Sequence, residues 1–250
     1  MNFLEKLIPV KRAEIEQLKH QPPTLKPIQN RPGFTDALES KKGLALIAEI
    51  KLHSPSKGHL AHPEIIDTLL PLYNKYATAI SVLTDNHFFK GNFTRLNEIA
   101  HKSDRPIICK DFIIDSFQIE LAKQAGASAI LLIAKLLSLN HLHELYKVAK
   151  SHNLDILLET HDEEDLEKAL NVGAKVIGIN HRNLQTLEID MQTSHRLRPL
   201  IPEDKIVIAE SGIHTPADIA KLPEVDGVLI GTSIVNAEQP ESLIKSLCEA

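Results

Sequence analysis

Tryptophan is absent from the 250-residue chain, and aromatic residues of every kind make up only 4% of it. A flat, aromatic ligand must therefore be held by Phe, Tyr or aliphatic side chains. Cysteine is scarce too, with Cys109 and Cys248 the two in the chain. Two thiols cannot build a disulfide framework, and no metal-ligand spacing occurs. A reducing, cytoplasmic setting is expected from that usage. No apolar run nears the roughly 18 residues of a membrane span. The N-terminus carries Glu5 and Lys6 and lacks an apolar signal core, so neither a leader nor a membrane partner is expected. There is no basic block, and the formal net charge is -5. That balance argues against a nucleic-acid partner. An anionic ligand would need locally focused positive charge.

What the chain does have is an alternation. From residue 44 onward, apolar strand candidates fall at 44–51, 78–83, 106–110, 128–134, 155–159, 175–180, 205–209 and 226–230. Amphipathic helical stretches lie between most of them, near 64–76, 92–102, 116–125, 138–152, 162–172, 190–198 and 215–221, with a last one at 240–248. Strand–helix alternation implies a parallel sheet. Eight such units in about 200 residues imply a closed (β/α)8 barrel of the TIM type. An open doubly wound sheet is the runner-up, but the Gly-rich fingerprint expected after its first strand is missing. Ahead of the barrel, Phe3, Leu4, Leu7, Ile8, Ile15 and Leu18 recur at helical spacing, with Asn2 as a possible cap and Pro9 as a kink or break. A proline-rich linker and a short helical turn at Phe34–Leu38 follow. The expected layout is one domain over residues 1–250, with 1–43 a helical appendage and 44–250 the barrel.

In such a barrel, function gathers at the carboxyl ends of the strands, and polar residues gather there in this sequence. The first strand ends Glu49-Ile50-Lys51, whose charged side chains fall on one face because strand residues alternate. Others end in Lys110-Asp111-Phe112, Glu159-Thr160-His161, Asn180-His181-Arg182 and Glu210-Ser211-Gly212. Each alone could be a turn cap or a solvated ion pair. Their convergence is hard to explain structurally, because desolvating a charge without return costs several kcal/mol. Ser211-Gly212 and Gly231-Thr232, after the seventh and eighth strands, occupy the usual phosphate position. Lys51 and Lys110 supply positive charge and possible general acids, on the expectation that burial or a second cation lowers their pKa. Glu49 and Glu159 are possible bases, with Glu210 assisting. His53, His161 and His181 lie near strand ends, but nothing forces a metal site, and neither metal nor cofactor is expected.

These motifs taken together resemble the indole-3-glycerol phosphate synthase family. The resemblance covers nearly the whole chain: IAEIK with SPSKG, SVLTD with Phe88-Phe89 and Gly91, KDFIID, AILLI, IGIN with Arg182-Asn183-Leu184, AESGI and LIGTS. It implies conversion of 1-(2-carboxyphenylamino)-1-deoxyribulose 5-phosphate to indole-3-glycerol phosphate, with loss of carbon dioxide and water. It further implies that Lys110 is a general acid in ring closure. Lys51 would bind substrate and share acid duty, Glu159 would act as base or stabilise the iminium, and Glu49 would tune Lys51. Asn180 and Glu210 would position the substrate. Arg182 would hold its carboxylate, and Ser211, Gly212, Gly231 and Thr232 would meet its phosphate while Ser56 closes over it. Phe89 and Phe112 are the aromatic binding candidates. Cys109 and His181 depart from the family's commoner residues.

Two other functions compete. A phosphate-binding barrel isomerase would share the phosphate end but is expected to use a Cys/Asp or Asp/Asp pair. A catalytically dead scaffold would have lost its strand-end charges, and here they are kept. A phosphorylated small molecule is the expected partner, the assembly a monomer or weak homodimer, and residues 54–58 the loop most suited to admit and cover a substrate.

Overall fold

The computed structural model of the chain describes residues 3–29 and 31–250. The proposed Asn2 cap lies outside the described residues. Eight strands close into a parallel barrel: β1 (Ala45–Ile50), β2 (Ala79–Leu83), β3 (Ile107–Lys110), β4 (Ala129–Ile133), β5 (Asp155–Thr160), β6 (Val176–Asn180), β7 (Ile206–Glu210) and β8 (Gly227–Ile230). Each pairs with its sequence neighbour, and β8 returns to β1 with Ala45 opposite Gly227 and Ala48 opposite Ile230. The apolar runs sit where expected because a parallel strand is covered on both faces.

Strand alternation divides the core in two. Leu46, Ala48, Ile80, Val82, Ile107, Cys109, Ile130 and Ile177 face outward into the shell of helices. Ala45, Ile47, Ala79, Ile108, Leu131, Leu157, Val176, Ile208 and Leu229 fill the lumen. Following the inward positions up each strand, the apolar layers end in Glu49 after Ile47, Lys110 after Ile108, Glu159 after Leu157, and Glu210 after Ile208. The same two-residue period that packs the lumen therefore delivers the charges to its upper mouth.

The helices are α1 (Phe3–His20), α2 (Phe34–Glu39), α3 (Ile65–Tyr76), α4 (Phe93–Lys102), α5 (Ser116–Ala125), α6 (Leu139–Ser151), α7 (Glu163–Asn171), α8 (Gln192–Leu197), α9 (Pro216–Ile219), α10 (Thr232–Val235) and α11 (Pro240–Cys248). Side-chain caps start several of them: Asn92 accepts from Arg95 N, Asp162 from Asp165 N, and Asp115 forms a capping box with Gln118. Helix α9 is shorter than its sequence pattern predicts. Pro9 neither breaks nor divides α1, which runs on from Phe3 to His20 with the proline as its seventh residue. Sequence reading missed α10, a single turn after β8, and a small hairpin pairing His53–Ser54 with Gly58–His59.

The leading helical segment precedes the barrel, as expected, and packs onto both of its ends. Leu7 of α1 and Phe34 and Leu38 of α2 belong to the lumen's apolar cluster. Asp155, the first residue of β5, accepts hydrogen bonds from Phe34 N and Thr35 N at 3.0 and 2.9 Å, and Glu39 pairs with Lys175 at 3.0 Å. Helix α2 thus closes the barrel's lower end. Helix α1 lies against the upper mouth, where Phe3 meets Phe88 and Phe112 with ring centroids 5.0 and 6.1 Å apart.

Candidate active site

A cavity of about 260 Å³ opens at the carboxyl ends of the strands. Every site residue singled out in the sequence lines it: Glu49, Lys51, Ser56, Phe89, Lys110, Phe112, Glu159, Asn180, Arg182, Glu210, Ser211, Gly212, Gly231 and Thr232. Leu131 and Ile133 from β4, Leu184 after β6 and Phe3 from α1 add apolar wall that the sequence reading did not assign.

The floor holds a Lys–carboxylate cluster. Lys110 Nζ stands 2.7 Å from Glu210 Oε2 and 3.4 Å from Glu159 Oε2, while Lys51 Nζ stands 2.5 Å from Glu49 Oε1. Burial alone would pull the Lys110 pKa down, but the carboxylates of Glu210, Glu159 and Glu49 outweigh it, so the pKa is raised. The expectation that burial lowers this lysine is thereby reversed, since the anions came into the lumen with it. The two glutamates divide. Burial raises Glu159 first, yet Lys110, His161 and Asn180 together bring it below the usual carboxylate range. Burial also raises Glu210, and the negative charges of Glu159 and Glu49 leave it raised against the pull of Lys110. Glu159 therefore stays ionised, and Glu210 takes up a proton first. Two carboxylates whose surroundings push them apart are suited to acid and base roles.

His161 is part of this arrangement. Its Nε2 lies 3.1 Å from Glu159 Oε1 and its Nδ1 lies 3.2 Å from Asp165 Oδ2. Burial works against its charge, but the contacts with Asp165 and Glu159 raise its pKa to about 9. Asp165, at the start of α7, also accepts from His161 N. The Glu159-Thr160-His161 strand end is thus a buried chain of charge rather than a turn cap.

Close backbone approach makes room for the glutamates. A Cβ on Gly178 would lie 2.3 Å from Glu210 Oε1, and one on Gly231 would lie 2.5 Å from Glu49 Oε1. After β7 the chain turns through two left-handed residues, Ser211 at φ 68° and Gly212 at φ 76°. Serine there is strained, as residues at functional sites often are. His181 holds the turn: its Nδ1 meets Ser211 O at 2.8 Å and its Nε2 meets Ser194 Oγ at 2.5 Å. Burial lowers its pKa, so it stays a neutral tether outside the cavity. Cys109 is likewise remote from the cavity. It faces the helices beside Thr84 Oγ1 at 3.2 Å, and burial pushes its thiol up, which leaves it unreactive.

Sequence reasoning missed Lys11, and it gave Asp85 and Asp111 no role beyond their place at strand ends. Lys11 of α1 is 1% exposed, with its ammonium among three carboxylates. The signal was present: Leu7 and Ile15 flank it at four-residue intervals, so position 11 falls in the apolar stripe of α1. Among the described residues, no group of three His, Cys, Asp or Glu side chains is arranged to hold a metal ion, and no helix is long and apolar enough to cross a membrane.

A closed parallel barrel with buried lysine–carboxylate pairs gathered at the carboxyl-terminal mouth has the architecture of a (β/α)8-barrel enzyme. Solved structures agree on the fold. Thiamine phosphate pyrophosphorylase from Pyrococcus furiosus superposes with a TM-score of 0.60 at 16% identity, covering 82% of this chain and 94% of that one. KGPDC from Streptococcus mutans gives 0.63 at 13% identity, covering 83% and 97%. Such distant likeness speaks for architecture alone. Sequence comparison is more specific. Residues 4–247 match the family model described as Indole-3-glycerol phosphate synthase. Proteins of that name from Staphylococcus aureus strains Newman and MRSA252 are each 38% identical, covering 99% of this chain and 97% of theirs. The chain belongs to the indole-3-glycerol phosphate synthase family.

Proposed function

We propose that the protein converts 1-(2-carboxyphenylamino)-1-deoxyribulose 5-phosphate to indole-3-glycerol phosphate, releasing carbon dioxide and water, as a carboxy-lyase of tryptophan biosynthesis. The observation that carries the reading is the Lys110 ammonium held between Glu210 and Glu159 at the lumen's upper end. In ring closure, the ring carbon bearing the carboxylate attacks the substrate carbonyl carbon. The carbonyl oxygen then needs a proton, and Lys110 is the donor. Its raised pKa keeps it cationic, so it also stabilises charge as it develops on that oxygen. Loss of carbon dioxide restores the aromatic ring. Dehydration then needs an acid for the departing hydroxyl and a base for the carbon-bound proton. Lys51, tied to Glu49, supplies the first, and Glu159, kept ionised, supplies the second or steadies the iminium. Glu210 and Asn180 position the substrate.

The cavity's two ends suit the substrate's two ends. Phe89 and Phe112 form an apolar wall for the ring. Ser211, Gly212, Gly231 and Thr232 offer backbone N–H groups and small side chains to the phosphate, and Ser56 closes over it. Arg182, with Nη1 already donating to Leu187 O at 2.8 Å, is assigned to the substrate carboxylate through its other nitrogens. We further take the chain as one domain over residues 1–250, working in the cytoplasm as a monomer or weak homodimer without cofactor, nucleic acid or membrane. The deciding test is turnover of the named substrate, followed by product fluorescence. A folded protein that binds inorganic phosphate yet makes no indole product would refute the assignment.

A further inference from the structure

Lys11 is the only charged residue among the buried positions of α1, which are Leu7, Lys11 and Ile15. Its ammonium has three protons and three carboxylate partners: Asp85 Oδ2 at 2.6 Å, Asp111 Oδ1 at 2.7 Å and Glu14 Oε2 at 2.9 Å. Each partner also grips backbone. Asp85 Oδ1 accepts from Phe88 N and Phe89 N at 2.7 and 3.0 Å. Asp111 Oδ1 accepts from Phe112 N at 2.7 Å, and its Oδ2 accepts from Thr84 Oγ1 at 2.7 Å. Glu14 Oε1 accepts from Asn86 N at 3.0 Å. One ammonium thus ties together the two loops, after β2 and β3, that carry Phe89 and Phe112.

Those two rings line the cavity, with centroids 6.0 Å apart. Phe3, two turns before Lys11, lines it with them. Stability alone does not call for this hub. One cation against three carboxylates leaves surplus buried negative charge, and an apolar residue in the α1 stripe would pack without that cost. We infer that Lys11 is a positioning residue for the aromatic end of the site, fixing the mutual placement of Phe89 and Phe112 that receives the substrate's ring. The inference rests on the substrate assignment above. The leading helix thereby supplies the counter-charge that sets the shape of the binding wall.

The test measures kcat, KM and inhibition by inorganic phosphate for the wild type, Lys11→Met, Lys11→Arg and Asp85→Asn, with folding checked by circular dichroism. Lys11→Met is expected to raise KM about tenfold, with kcat within about threefold and phosphate inhibition unchanged, because ring binding is lost while the reacting groups and the phosphate end remain. Lys11→Arg restores charge and should recover part of KM, which a purely volume-filling role would not produce. Should Lys11→Met fail to fold, Asp85→Asn decides. It keeps an acceptor for Phe88 N and Phe89 N but weakens the tie to Lys11, and KM should again rise. A folded Lys11→Met or Asp85→Asn with wild-type KM overturns the inference, as does KM rising in step with loss of phosphate inhibition. A wild type without turnover instead sinks the activity assignment, and this inference with it.

Discussion

Lys110 and Glu210 meet at 2.7 Å in the lumen, with Glu159 completing the group from the other side of the lysine at 3.4 Å. Among the described residues, neither glutamate has another cation so near apart from His161 beside Glu159. Replacing Lys110 with Met therefore removes the proton donor and also lifts the pKa of both glutamates, since each loses its main stabilising charge. The kcat of Lys110→Met is expected to fall by about 10² to 10⁴, the usual worth of a positioned acid or base. Inhibition by inorganic phosphate should persist, because Ser211, Gly212, Gly231 and Thr232 are untouched. A variant with undiminished kcat would move the acid role to Lys51.

Glycine at 178 is expected to be essential to the chemistry rather than to the fold. The Cβ of Gly178→Ala would fall 2.3 Å from Glu210 Oε1 and 3.3 Å from Leu157 Cδ1. Glu210, a side chain, is the part that yields, and its displacement is expected to disturb the 2.7 Å contact with Lys110. Overpacking of this kind costs about 1–3 kcal/mol of stability, a loss measurable by urea unfolding. Activity should drop more than tenfold, as expected for a displaced reacting group. Retention of full activity would show that Glu210 need not sit against Lys110.

Much of this was legible in the sequence. The strand runs are apolar on both faces, so the barrel's spacing stood out. The lumen's polar ends could be read because Glu49, Lys110, Glu159 and Glu210 all break apolar runs. The rest depended on contacts across long sequence separations. Nothing near Lys11 announces Asp111, one hundred residues on. Nothing near Phe34 announces Asp155, so the way the leading segment docks on the barrel could not be read. Lysine pKa was misjudged for the same reason: burial can be inferred from a strand, but the carboxylates brought in by neighbouring strands cannot.

Asp155 offers a check on that leading segment. Gly33 precedes α2 and has no side chain to cap it, and the free N–H groups of Phe34 and Thr35 are met by Asp155 Oδ2 instead. This is a helix cap supplied from 120 residues away. Asp155→Ala is expected to cost about 1–2 kcal/mol, the worth of an ordinary cap, seen as a lower urea midpoint with an unchanged slope. An unchanged midpoint would show that α2 is held by Phe34 and Leu38 alone.

His161 makes stability depend on pH in a defined direction. Its pKa is raised from an ordinary 6.5 to about 9 by Asp165 and Glu159, against burial. A histidine raised in the folded state contributes fully below its unfolded pKa near 6.5. That contribution is lost as pH climbs through the folded value near 9. The shift corresponds to about 3.5 kcal/mol at most, at roughly 1.4 kcal/mol per unit. His161→Gln keeps a hydrogen-bonding side chain but cannot carry the charge. The stability gap between wild type and His161→Gln should therefore be widest near pH 6 and close between about pH 6.5 and 9.5, read from urea unfolding at several pH values. An NMR titration of the imidazole measures the same quantity directly. A His161 that titrates at or below 6.5 would mean that it is neutral beside Glu159 in the working enzyme, and the ionised state of Glu159 would then rest on Lys110 and Asn180 alone.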